Sequence, residues 1–154
     1  MIFTTKAEYG VRLLVELGRH EASGEPVSLK ALADAEQLPL AYLERIVARL
    51  KKAGIVASTR GAHGGYRLAR GAEQIRMDEV IIALEGQIAP MTCFVTDEDD
   101  DGSGQRVVCS RGLDDDRACA TRLLWTRVQN GVHTALAATT LAELVAFAER
   151  RVAP

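Results

Sequence analysis

Along the first fifty positions, apolar residues recur at the three- and four-residue steps of amphipathic helices. From Thr5 to about Arg19 they are Ala7, Val11, Leu14 and Leu17, which predicts a first helix. The polar stretch 21–26, carrying Gly24 and Pro26, breaks it. Ser28 is then placed to cap a short second helix containing Leu29, Leu32 and Ala33. Pro39 suits the first turn of a third helix, where its missing N–H is harmless. There Leu43, Ile46, Val47 and Leu50 form an i, i+3, i+4, i+7 stripe that stops before Gly54.

The period changes after Gly54. Residues 55–60, the glycine-rich 61–65 and then 66–69 read as strand, turn and strand, a β-hairpin. Three helices followed by a basic hairpin is the order of a winged helix-turn-helix, in which one helix enters the major groove and the hairpin reaches the flank. A small helix from Met77 to Glu85, closed by Gly86, is expected to pack beneath this wing. A long helix is predicted over 116–137, with Leu124, Val128, Gly131, Val132 and Ala135 along it. A last helix starts at Thr140, whose spacing to Glu143 is that of a capping box. The fold class is thus mainly α with a small β-hairpin. It divides into a winged helix-turn-helix domain (1–86), a cysteine-bearing acidic loop (87–115) and a dimerisation helix with a C-terminal helix (116–154). The long helix can join two copies so that two reading helices meet successive turns of DNA.

At 154 residues the chain has room for about one domain, and no apolar stretch reaches bilayer length. The start of the chain lacks the pattern of a secretion signal, so the cytoplasm is expected. The net charge of −2 conceals an asymmetry. Residues 1–70 hold 11 Lys/Arg against 7 Asp/Glu, and residues 71–154 hold 8 against 14. From Glu44 to Arg70 there are 7 basic residues and the single acid Glu44, a field suited to phosphates. On the third helix Tyr42, Arg45, Arg49 and Lys52 fall away from the apolar stripe. Arg60 opens the glycine-rich turn that also carries His63, where a guanidinium can enter a narrow minor groove.

Cys93, Cys109 and Cys119 are separated by 15 and 9 residues, which matches neither a zinc knuckle nor a redox Cys-x-x-Cys pair. They lie in or beside a segment with acidic runs at 97–101 and 114–116. Such a loop could gather three thiolates around a soft metal or an iron-sulfur cluster; free thiols, zinc binding and oxidant sensing by disulfide formation stay open. Asp97, Asp99, Asp101 and Gly102 match the opening of a calcium loop, but its twelfth position is Val108 instead of a bidentate Glu. His20, His63 and His133 have no catalytic spacing to any cysteine, so an enzyme is not expected. A winged helix used for protein contacts is the remaining alternative to DNA binding.

The stretches 38–45, 49–56, 60–66 and 119–125 resemble the Rrf2 family of winged helix-turn-helix transcriptional regulators, and the similarity covers nearly the whole chain. Its IscR-like and NsrR-like members bind iron-sulfur clusters. The resemblance implies a homodimer crossing through its long helices and binding an operator, here expected to be palindromic, through wing and third helix; of repression and activation, which the sequence leaves open, repression is the expected polarity. Pro39, Ala41, Tyr42, Glu44 and Arg45 would face the major groove and Arg60 the minor groove. Cys93, Cys109 and Cys119 would hold an iron-sulfur cluster, with a four-iron, four-sulfur cube favoured over a two-iron, two-sulfur form. Two departures stand out. The acidic insert widens the cysteine spacing, and Arg122 occupies the place of a histidine ligand in IscR-like members. Because NsrR-like members use an acidic side chain from the partner subunit, Glu8 is the candidate fourth ligand that the resemblance implies; a first-turn acid favoured by the helix dipole is the other reading of it.

Overall fold

The computed structural model describes residues 3–61, 64–91 and 120–150. Helix α1 (Thr5–Arg19) is capped by Thr4, whose hydroxyl accepts the Lys6 amide at 3.2 Å. Helix α2 (Leu29–Glu36) is capped by Ser28, which accepts from the Ala31 amide at 3.1 Å. Gln37, with φ 54° and ψ 44°, ends α2 in a left-handed turn. Pro39 stands just ahead of α3 (Leu40–Lys52) with extended backbone, one position earlier than the sequence placed it. Its missing N–H would have no helical partner there either.

The hairpin pairs β1 (Val56–Thr59) with β2 (Gly65–Leu68), Val56 opposite Leu68 and Thr59 opposite Gly65. Val27 adds a third pairing that the sequence did not signal. It exchanges both backbone hydrogen bonds with Tyr66, each at 2.8 Å, so the residue preceding the α2 cap lies on the outer edge of β2.

Helix α4 (Met77–Glu85) ends at Gly86 as expected, but its place is different. Its main contacts are α1, α3 and α5 (Ala120–Ala138), and it does not lie beneath the wing. The cause is packing. Leu84 and Val80 are fully buried in the same core as Leu13, Leu43 and Leu50, and Gly10 lets α1 close on α4. A Cβ at Gly10 would stand 2.3 Å from Leu84 Cδ1. The predicted long helix is described from Ala120 to Ala138, and positions 116–119 lie outside the described residues. Helix α6 (Leu141–Arg150) follows, with the reciprocal Thr140 and Glu143 cap in place at 3.0 and 3.3 Å. The α5–α6 junction is strapped to the start of α4. The Met77 amide donates to Thr139 and the Leu141 amide to Ile75, while buried Asp78 accepts two N–H groups of Arg76. Among the described residues, no helix is long and apolar enough to cross a membrane.

Candidate nucleic-acid interface

The apolar stripe of α3 folds inward as its period requires: Leu43, Ile46, Val47 and Leu50 are all buried. The opposite side of the helix carries Pro39, Ala41, Glu44, Arg45 and Lys52 to solvent. Lys51 in the last turn of α3 donates from Nζ to Ser58 Oγ on β1 at 2.7 Å, which fixes the root of the hairpin to the helix. Arg60 is exposed at the start of the turn. His63 lies outside the described residues.

Two members of the expected face sit differently. Tyr42 is half-buried, its ring edge-on to Tyr9 of α1 with centroids 5.6 Å apart and planes at 83°. Arg49 is exposed but turned toward α4, where Nη1 donates to the Leu84 carbonyl at 3.2 Å. The periodicity assigned both to the open face. The tertiary contact that draws them in comes from helices remote in sequence, which a single-helix projection does not contain.

The end of α4 also fixes α1. Glu85 Oε1 accepts from the Thr4 amide at 3.1 Å, the Thr4 hydroxyl at 2.5 Å and the Ala7 amide at 3.2 Å, while Oε2 faces Lys6 Nζ at 3.4 Å. A carboxylate remote in sequence thus serves amides of an α1 terminus whose dipole favours negative charge, the Ala7 amide being shared with the Thr4 carbonyl at 3.0 Å. Burial acts to raise the Glu85 carboxyl, but hydrogen bonds from Thr4 and the charge of Lys6 outweigh it and hold its pKa below the ordinary glutamate value. A carboxyl whose pKa falls on folding stabilises the fold above its unfolded value of about 4.3 and loses that contribution as pH drops through the folded value. Glu85→Gln is therefore expected to cost roughly 1–2 kcal/mol at pH 7 in urea unfolding. The difference from the parent should shrink as the pH is taken below about 4.3. A gap that stayed constant with acidification would contradict the charged role of Glu85.

Cys93, Cys109 and Cys119 lie outside the described residues. Glu8 is on the first turn of α1, exposed, and its carboxylate makes no hydrogen bond or ion pair among the described residues. The helix that would bring two copies together is open: α5 has no buried residue, and Leu123 and Leu124 are 60% and 55% exposed. Its inner side rests on α4 through Val132 and Leu136, which pack against Ala7, Ile81 and Ile88. Gln129 Nε2 donates to the Ile88 carbonyl at 3.0 Å.

Comparison with known proteins is consistent along the whole chain. The family model Rrf2, described as an iron-dependent transcriptional regulator, matches residues 3–147. Protein rrf2 of Nitratidesulfovibrio vulgaris is 37% identical over 94% of this chain and 87% of its own length. Among solved structures, IscR of T. potens superposes with a TM-score of 0.75 at 31% identity, covering 100% of this chain and 93% of that one. CymR of B. subtilis, described as its global cysteine regulator, superposes with a TM-score of 0.73 at 32% identity, covering 96% and 98%.

Proposed function

The chain belongs to the Rrf2 family of DNA-binding transcriptional regulators, and we propose that it is a cytoplasmic homodimeric repressor whose operator affinity is set by an iron-sulfur cluster on its cysteine segment. The family and fold account for a regulator that is not an enzyme. The observation that carries the DNA-reading proposal is the solvent face of α3. Pro39, Ala41, Glu44 and Arg45 offer short and charged side chains for base edges, and Lys52 and the hairpin's Arg60 supply cations for phosphate and the minor groove. His63 is proposed with the wing. Tyr42 and Arg49 join the set through the α1 and α4 contacts that orient them.

For the cofactor, the chemistry of the donor set is the support. Three thiols are the normal iron ligands of such clusters, and Glu8 is a carboxylate not engaged elsewhere among the described residues. Cys93, Cys109, Cys119 and Glu8 would hold the group. The preference for a four-iron cube follows from one carboxylate beside three thiolates. When bound, a cluster supplies reactivity toward oxidants and nitric oxide. A ligand such as Glu8 at the start of α1, reaching the partner's loop, would fix the angle between the two reading helices.

A second reading is thiol sensing without a cluster, favoured by the likeness to CymR, which is as similar in sequence as IscR is. Iron and sulfide quantitation on protein purified without oxygen separates the two. Bound iron and sulfide with visible absorption, lost together in Cys93→Ser, is the expected result. Operator affinity measured before and after chelation should then differ by about 5- to 150-fold. A colourless protein with three titratable thiols would favour the second reading.

A further inference from the structure

A cleft of about 470 Å³ opens between the first turn of α1 and the side of α3, lined by Lys6, Tyr42, Arg45, Ile46 and Arg49. Its lining contains three cations and no acid. Lys6 comes from outside the reading helix and the wing, and its position is unusual. A lysine in the first turn of a helix opposes the dipole at a cost of about 0.3–1 kcal/mol. Glu85 offsets that cost, and its carboxylate is itself occupied by Thr4 and the Ala7 amide. Lys6, paired with Glu85 and still partly exposed, stands at the edge of the cleft. Arg49 uses one of its five N–H donors on the Leu84 carbonyl and lines the same cleft. Tyr42 and Ile46 supply an apolar wall, and cations gathered on one side of a cleft favour an anion there.

Arg45 belongs both to this cleft and to the exposed face of α3. An anion seated here therefore borders the reading surface, where the sugar-phosphate backbone flanks a major groove. Resting on the DNA-binding reading above, we propose that the cleft seats one phosphodiester of the operator backbone and that Lys6 is its clamp from α1. Such a contact positions the protein without reading sequence. It also lets the base of α1, which carries Glu8 two residues further on, move with the DNA backbone.

The test is the salt dependence of binding to the operator and to an unrelated duplex of equal length. Removing one phosphate contact lowers the slope of log K against log salt by about 0.9 for each subunit engaged. Lys6→Met should show that loss on both duplexes, with a similar fall in affinity on each. Lys6→Arg, which keeps the cation and Glu85's partner, should retain the parent slope. Glu85→Gln breaks the ion pair but leaves the lysine, so it too should retain the slope. This separates a phosphate contact from a merely structural pair and keeps the test usable should Lys6→Met fold poorly. A parent slope in Lys6→Met, or an equal loss in Glu85→Gln, overturns the clamp. If binding falls in Arg60→Ala while Lys6→Met behaves as the parent, only the clamp fails; if the parent shows no salt-dependent binding to either duplex, the DNA-reading proposal fails with it.

Discussion

On the homodimer proposed above, Leu123→Lys together with Leu124→Lys is expected to yield a monomer and to lower operator affinity by about a hundred- to ten-thousand-fold, the range gained when two linked modules bind together. The two leucines are more than half exposed on a helix of 19 residues with no buried side chain, so they contribute little to the fold of one subunit. Lysine is also a good helix former. The helical signal and the melting of the isolated subunit should therefore survive. An apolar helix face that no described residue covers is costly to expose to water, and a second copy of α5 would cover it. The substitution adds two positive charges per chain. A fall in affinity for DNA would run against its own electrostatics and can be assigned to the lost partner. Light scattering gives the mass and a filter-binding titration the affinity. A double variant that remains a dimer would place the subunit contact elsewhere.

The reading head was legible because each signal is local. The Ser28 cap, the stripe at Leu43, Ile46, Val47 and Leu50, and the change to a two-residue period after Gly54 each need only neighbours within one element. The family resemblance rests on the same stretches. What stayed hidden depends on partners far along the chain. Nothing near Val27 says that it will pair with Tyr66, and nothing near Met77 says that α4 will join α1 and α3 instead of the wing. The helical projection put Arg49 on an open face because it contains no term for the Leu84 carbonyl 35 residues later. Lys6 was missed altogether, although a cation in the first turn of α1 is a local anomaly that could have marked it. For the cysteines, the donor types were readable and the arrangement was not, because spacings of 15 and 9 residues are compatible with many loop geometries.

Gly65→Ala is expected to destabilise the domain by about 3 kcal/mol, the upper end for overpacking, because the atoms in the way are backbone. A Cβ on Gly65 would stand 2.5 Å from the Val27 carbonyl oxygen, 2.6 Å from its carbon and 3.0 Å from the Ser28 nitrogen. No rotamer change relieves such contacts. Either β2 moves away from residues 26–28, giving up the paired hydrogen bonds between Val27 and Tyr66, or Ser28 shifts and uncaps α2. Both routes disturb the reading head, since α2 packs on α3 and the hairpin begins where α3 ends. Gly24→Ala is the fitting control. Gly24 has a left-handed φ of 66° but nothing within 4 Å of a Cβ, so only backbone strain of about 1–2 kcal/mol applies. Urea unfolding should therefore rank the parent above Gly24→Ala and Gly24→Ala above Gly65→Ala. Operator affinity should fall in Gly65→Ala even under conditions where it remains folded, because the hairpin bearing Arg60 is displaced from α3. Equal stability of the two variants would mean that the Val27 segment does not press on β2, and the wing would then be a two-stranded hairpin held by α1 and α3.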